Sequence, residues 1–195
     1  MLPERVPNRK ELAIVFAKEL PKYFNKAEID AVLGTTIGDP KSHLLLSLLW
    51  QTGARVSEVL GISVKDVDFH TKTLRIISLK RKGRPQRAIP IQSGLVGLLG
   101  AYMAQNQLKR DDEIFSFTRQ RAYQLVQGAV LAAGLDKERG HPHVFRHSFA
   151  VHAVLAGVPI LVIKEWLGHT NIQSTLVYLK VLGVDTRHFY DNLHF

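Results

Sequence analysis

Five of the six residues from Leu44 to Leu49 are leucine, with Ser47 the exception. Asp39 and Pro40 stand just ahead of this run, an N-cap followed by a residue whose fixed φ suits the first helical turn. A helix that is apolar on nearly every side must lie inside the molecule with other elements packed around it. A chain of 195 residues, 46% of them hydrophobic, can enclose such a helix in one substantial core. The apolar stretch Leu44 to Trp50 is far too short to span a bilayer.

Local signals place the other elements around this helix. Asn25 followed by Glu28 is a capping-box pattern and opens a helix that buries Ile29, Val32 and Leu33. After Gly53, a short helical turn around Val56 to Leu60 leads to β-prone segments at Val67 to His70, Thr73 to Leu79 and Arg87 to Ile91. These predict a small antiparallel three-stranded sheet. Ser93 can cap a helix running toward Gln107, and Thr118 another through Ala133, stopped by Gly134. Pro142 to Ala156 ends at Gly157, Pro159 to Leu167 ends at Gly168, and Asn171 can cap a last segment carrying Tyr178. The expected class is α+β, mainly helical. Residues 1–24, punctuated by Pro3, Pro7 and Pro21, read as an arm with a short amphipathic helix over Glu11 to Leu20, and residues 25–195 as one globular domain.

The 26 Lys and Arg exceed the 17 Asp and Glu, a formal charge of +9 that suits a nucleic-acid binder, although an anionic membrane surface would also attract it. Absence of cysteine excludes a disulfide framework, a thiolate nucleophile and any zinc site built from Cys. Met1 to Lys10 has no apolar stretch of the secretory type, so a cytoplasmic location is expected.

Four features could carry chemistry. Arg55 follows the buried helix at a Gly-Ala turn, where its guanidinium can face a phosphate or simply pair with Glu58. The loop Lys80-Arg-Lys-Gly-Arg-Pro-Gln-Arg87 has five basic residues in eight and lies between two strands, so Lys80, Arg81, Arg84 and Arg87 can contact DNA phosphates, or form a solvated turn. His143 and Arg146, at i and i+3, share a helix face near His141 and His147. No acidic residue stands at a helical spacing that would complete a metal site there. His147 and His152 read as ordinary packed or surface histidines. Finally, Leu167-Gly-His169 leads into the segment ending at Tyr178, and a single tyrosine read alone is a packing residue.

In combination, the order Arg, loop Lys, His-x-x-Arg, Gly-His and Tyr resembles that of the tyrosine recombinase (phage integrase) family over residues 25–180. Lys82 stands eight residues before Pro90, His143 three before Arg146, and His169 nine before Tyr178. The resemblance implies that Tyr178 is the nucleophile of a site-specific DNA recombinase, attacking a phosphodiester to give a 3′-phosphotyrosyl link. It makes Arg55 and Arg146 the phosphate clamp, Lys82 the hairpin lysine that protonates the leaving 5′-oxygen, and His143 and His169 the assisting histidines, with His143 as candidate base. Glu58 matches the acidic position that supports the first arginine, and Lys180 stands where the family often has histidine.

Two guanidiniums can neutralise the charge that other phosphoryl-transfer enzymes give to metal ions, so no metal is expected, and a phosphotyrosyl ester of similar energy to the bond it replaces calls for no nucleotide cofactor. The implied partners are double-stranded DNA, four protomers on two DNA sites with Leu179 to Phe195 as an inter-subunit contact, and accessory DNA-bending proteins. With room for only an arm before residue 25, the expectation is either a chain resembling the compact DNA-inversion recombinases, with no separate N-terminal core-binding domain, or an excised catalytic domain of a longer protein. Competing readings are a type IB topoisomerase-like relaxase, a DNA-binding regulator without turnover, and a metal-dependent nuclease built on His141 to His147.

Overall fold

The computed structural model describes residues 20–78 and 86–182. Eight α-helices and one three-stranded antiparallel sheet occur among them. Helix α1, Lys26–Gly34, begins with the expected reciprocal cap: Asn25 Oδ1 accepts from Glu28 N at 2.9 Å, and Glu28 Oε2 accepts from Asn25 N at 2.8 Å. The same carboxylate receives both terminal nitrogens of Arg139, at 2.6 and 2.7 Å, so a local cap is also a tertiary tie.

Helix α2, Pro40–Thr52, is the central one. Asp39 Oδ1 accepts from the Lys41 and Ser42 amides at its start, and Leu44, Leu45, Leu46, Leu48 and Leu49 are at most 2% exposed. Each such burial contributes about 1.5–3 kcal/mol before conformational entropy is set against it. Around it pack α1, α3 (Val56–Leu60), α4 (Ser93–Gln105), α5 (Arg119–Ala132) and α6 (Pro142–Leu155). Helix α6 also supports α7, Ile160–Leu167, and the closing segment, which runs from α8, Gln173–Leu176, into a 3-10 helix at Val177–Leu182.

The strands are β1, Val67–Asp68, β2, Thr73–Ile77, and β3, Gln86–Pro90, in that order across the sheet. The first is two residues long where the sequence predicts Val67 to His70. Asp68 Oδ1 accepts from the amides of His70 and Thr71 at 2.9 Å each, which turns the chain at once, and Lys72 completes the reversal with φ of 51°. Ser93 does not cap α4: Gln92 is the N-cap, and Ser93 Oγ accepts instead from Lys72 Nζ at 2.9 Å. The arm helix expected at Glu11 to Leu20 lies outside the described residues, apart from Leu20. No helix among the described residues is long and apolar enough to cross a membrane.

Candidate active site

Two left-handed glycines terminate the helices that frame the site. Gly53 (φ 58°) ends α2 and Gly168 (φ 65°) ends α7, a conformation that disfavours any residue with a Cβ. At Gly53 a Cβ would also stand 2.4 Å from Phe149 Cδ1. Carbonyls at these ends have no helical partner, and they carry the negative end of the helix dipole.

Arg146, on α6, fills both ends. Its Nη1 donates to Gly53 O at 2.8 Å and its Nη2 to Leu167 O at 2.7 Å, with the side chain almost wholly inside the protein. Burial, with the Arg55 charge adding to it, lowers the Arg146 pKa to about 10, which still leaves the group charged at neutral pH.

Arg55 begins α3 and is held by Glu58 in two ways. The Glu58 carboxylate accepts from Arg55 N at 3.0 Å and from Arg55 Nη1 at 3.1 Å. The Arg55 side chain stays 27% exposed, so part of its guanidinium faces outward. Of the two sequence alternatives for Arg55, the pairing with Glu58 is the one observed, and it fixes the group.

Glu58 has a second, more deeply buried partner in Arg87, with Nη2 at 2.8 Å from Oε2. Burial pushes the Glu58 pKa up, but the Arg87 hydrogen bond and charge, helped by Arg55, more than offset this and hold it below the ordinary carboxylate value. Arg87 Nε also donates to Trp166 O at 2.7 Å, at the end of α7. Sequence reading groups Arg87 with the DNA-contacting loop; the structure turns its guanidinium inward, where Glu58 and Trp166 occupy it. The period-2 alternation of β3 carries that signal, since Arg87 shares a face with Ile89, which is 1% exposed. Lys80, Arg81, Lys82 and Arg84 lie outside the described residues.

His169 follows Gly168, and its Nδ1 is 2.9 Å from Thr175 Oγ1, which links α7 to α8. Burial, then the Arg146 and Arg55 charges, push its pKa down to about 3, so the ring is neutral near pH 7. His143 is exposed on the first turn of α6, between the buried Pro142 and Val144.

Tyr178 is placed by the closing segment. Asn171 Oδ1 accepts from Gln173 N at 3.0 Å as a cap would, but the α-helix lasts only four residues before it tightens into the 3-10 turn that holds the tyrosine. The phenol is 2% exposed, within the cluster of Ala150, Val151, Val154, Ile163 and Leu167. Burial raises its pKa to about 12, against the opposing Arg146 charge. Its hydroxyl lies 2.7 Å from Nδ1 of His147, a residue whose pKa burial and the neighbouring His143 and Arg146 lower to about 4. His147, expected to be a packed or surface histidine, is a packed one whose partner is the tyrosine; its place one turn along α6 from His143 puts both on one helix face. His152 does pack, edge-on to Trp50 and 3.0 Å from Phe24 O.

Arg146 is the hub of the site: its charge acts on His147, His169 and Tyr178, Arg55 acts on Arg146 and His169, and His147 joins Tyr178 through the 2.7 Å contact. No group of three or more His, Asp or Glu among the described residues is arranged to hold a metal ion.

This helical fold with its small three-stranded sheet is that of tyrosine recombinase catalytic domains. The chain belongs to the phage integrase family, whose model matches residues 22–183. It is 31% identical to a tyrosine recombinase of Pseudothermotoga lettingae over 169 residues, 85% of this chain and 58% of that one. It is 32% identical to tyrosine recombinase XerD of Mycobacterium tuberculosis over 185 residues, again 85% of this chain and 58% of the relative. The chain therefore spans less than two thirds of the length of these relatives. Among solved structures, XerH site-specific recombinase bound to its difH substrate, in a pre-cleavage complex, superposes with a TM-score of 0.74 at 24% identity, covering 89% of this chain and 54% of that one.

Proposed function

We propose that this chain is the catalytic part of a site-specific recombinase that cleaves and rejoins double-stranded DNA through a 3′-phosphotyrosyl link at Tyr178. The observation that carries the reading is the buried Tyr178 phenol beside the Arg146 charge, its hydroxyl 2.7 Å from His147, with Arg55 and His169 grouped around the same arginine. A scissile phosphate held between the two guanidiniums meets fixed positive charge where its non-bridging oxygens become more negative, and a preorganised pair needs no rearrangement as the bond breaks. His169, neutral and oriented by Thr175, can donate a hydrogen bond from its other ring nitrogen to the same phosphate.

Attack by the Tyr178 oxygen on phosphorus forms the P–O(Tyr) bond as the P–O5′ bond breaks. The 5′-oxygen takes a proton from Lys82, which the family resemblance makes the general acid, while Lys80, Arg81 and Arg84 follow the DNA backbone. Because the phosphotyrosyl ester resembles the bond it replaces, a 5′-hydroxyl from another strand can attack it and reseal the DNA without an energy source. Residues 25–195 form the catalytic unit in this reading. Four protomers on two DNA sites, with accessory DNA-bending proteins, complete the assembly.

The test is incubation of the protein in EDTA with nicked suicide duplexes tiled across the genomic neighbourhood of its gene. A denaturation-resistant protein–DNA adduct, absent from Tyr178→Phe while that variant still binds DNA, is the expected result. An adduct in Tyr178→Phe would overturn the assignment.

A further inference from the structure

We propose that His147 is the immediate proton acceptor for the Tyr178 hydroxyl during DNA cleavage, and that it returns this proton during rejoining. The inference rests on the reading of Tyr178 as nucleophile, and it goes beyond it by assigning the base to a residue one turn along α6 from His143. His147 Nδ1 lies 2.7 Å from the phenolic oxygen, within the range of a direct proton-transfer contact, and the rings are 5.9 Å apart at 44°. His147 is partly buried on α6 immediately after Arg146, so the base and one half of the clamp move as a unit.

The surroundings suit the task. A base has to be neutral before it can accept, and burial with the nearby His143 and Arg146 keeps the His147 ring uncharged near pH 7. The groups around it are His143 and Arg146 on its own helix, His169 beyond α7, and Tyr178 on the closing 3-10 turn. Tyr178 presents its proton to the ring at hydrogen-bond distance.

The step balances without a co-reactant. The Tyr178 proton passes to His147 Nδ1 as the phenolic oxygen bonds to phosphorus, and the P–O5′ electrons leave on the 5′-oxygen, which Lys82 protonates. The imidazolium so formed faces a phosphate whose charge is growing, which offsets the cost of a third cation beside Arg146. In the reverse step it gives the proton back to the departing phenolate, as microscopic reversibility requires.

The experiment compares single-turnover cleavage of the nicked suicide duplexes by the full chain and by His147→Ala, His147→Gln, His143→Ala and Tyr178→Phe. Glutamine can still hydrogen-bond the hydroxyl but cannot hold its proton, which separates base from spacer. Both His147 variants are expected to lose about 10²–10⁴-fold in rate near pH 7 with DNA binding retained in mobility shifts. Their rates should then climb about tenfold per pH unit as solvent hydroxide takes over, whereas the unsubstituted chain shows a flat profile from neutral pH upward.

Wild-type rates in His147→Gln, or cleavage by His147→Ala at or above the wild-type rate, would overturn the proposal and make the contact a resting latch. So would a steep pH dependence appearing only in His143→Ala. If those outcomes occur while Tyr178→Phe stays inactive, His147 alone is misassigned; an adduct in Tyr178→Phe would remove the nucleophile and its base together.

Discussion

Arg87 and Glu58 form a two-point ion pair inside the protein, with Nη2 to Oε2 at 2.8 Å, Nη1 to Oε1 at 3.4 Å, and side chains 8% and 3% exposed. The pair joins the strand leaving the basic loop to the turn that carries Arg55. Replacing Arg87 by Met leaves a buried carboxylate with Arg55 as its remaining ion partner. Breaking one side of such a pair costs about 3–5 kcal/mol, because the other charge stays out of water. Equilibrium urea unfolding should show a loss of that size for Arg87→Met.

Arg146 makes both of its described hydrogen bonds to backbone carbonyls of helix ends, and it adds positive charge beside the tyrosine. Its removal should therefore act on the cleavage step. Arg146→Ala is expected to cleave suicide duplexes about 10²–10³-fold more slowly, with a much smaller change in DNA affinity. Parallel losses in rate and affinity would make it a DNA-contact residue instead.

Gly53 and Gly134 share a left-handed backbone but differ in surroundings. An added Cβ at Gly134 meets nothing within 4 Å, whereas at Gly53 it would press on Phe149. Gly134→Ala should cost about 1–2 kcal/mol for the backbone alone, and Gly53→Ala clearly more. The second substitution also disturbs the carbonyl that accepts from Arg146, so it should slow cleavage while Gly134→Ala does not. Thermal unfolding and adduct formation measure the two effects separately.

The histidines make stability depend on pH in a definite direction. His147 and His169 have folded pKa values of about 4 and about 3, below their ordinary 6.5. From pH 6.5 down to those values the unfolded chain holds protons that the folded chain does not, so stability rises with pH through this window. It is complete above about pH 6.5 and falls as the solution is acidified. Glu58, whose folded pKa is also lowered, adds a further loss below its ordinary 4.5. Urea midpoints at pH 7, 6 and 5 should decline steadily, and His169→Gln should flatten the decline.

Much of the architecture was legible in short stretches of residues because its causes are local. The Asn25–Glu28 box, the Asp39–Pro40 start, the Thr118 cap and the glycine after α7 each act within a few residues, and each appears where expected. The departures arise where a side chain chose another partner: Asp68 for two turn amides, Ser93 for Lys72.

For the site, residue types and their order along the chain determined which groups could be gathered: Arg55, His143, Arg146, His169 and Tyr178, with a family resemblance to say why. Only the tertiary structure decided who touches whom. Arg87 turned inward to Glu58, 29 residues away, and His147 met Tyr178 across 31. Local pattern can say which way Arg87 and His147 face but not which residue they meet, since that depends on how α6, α7 and the closing turn pack. The burial that moves the pKa values of His147, His169 and Tyr178 exists only after that packing has excluded water.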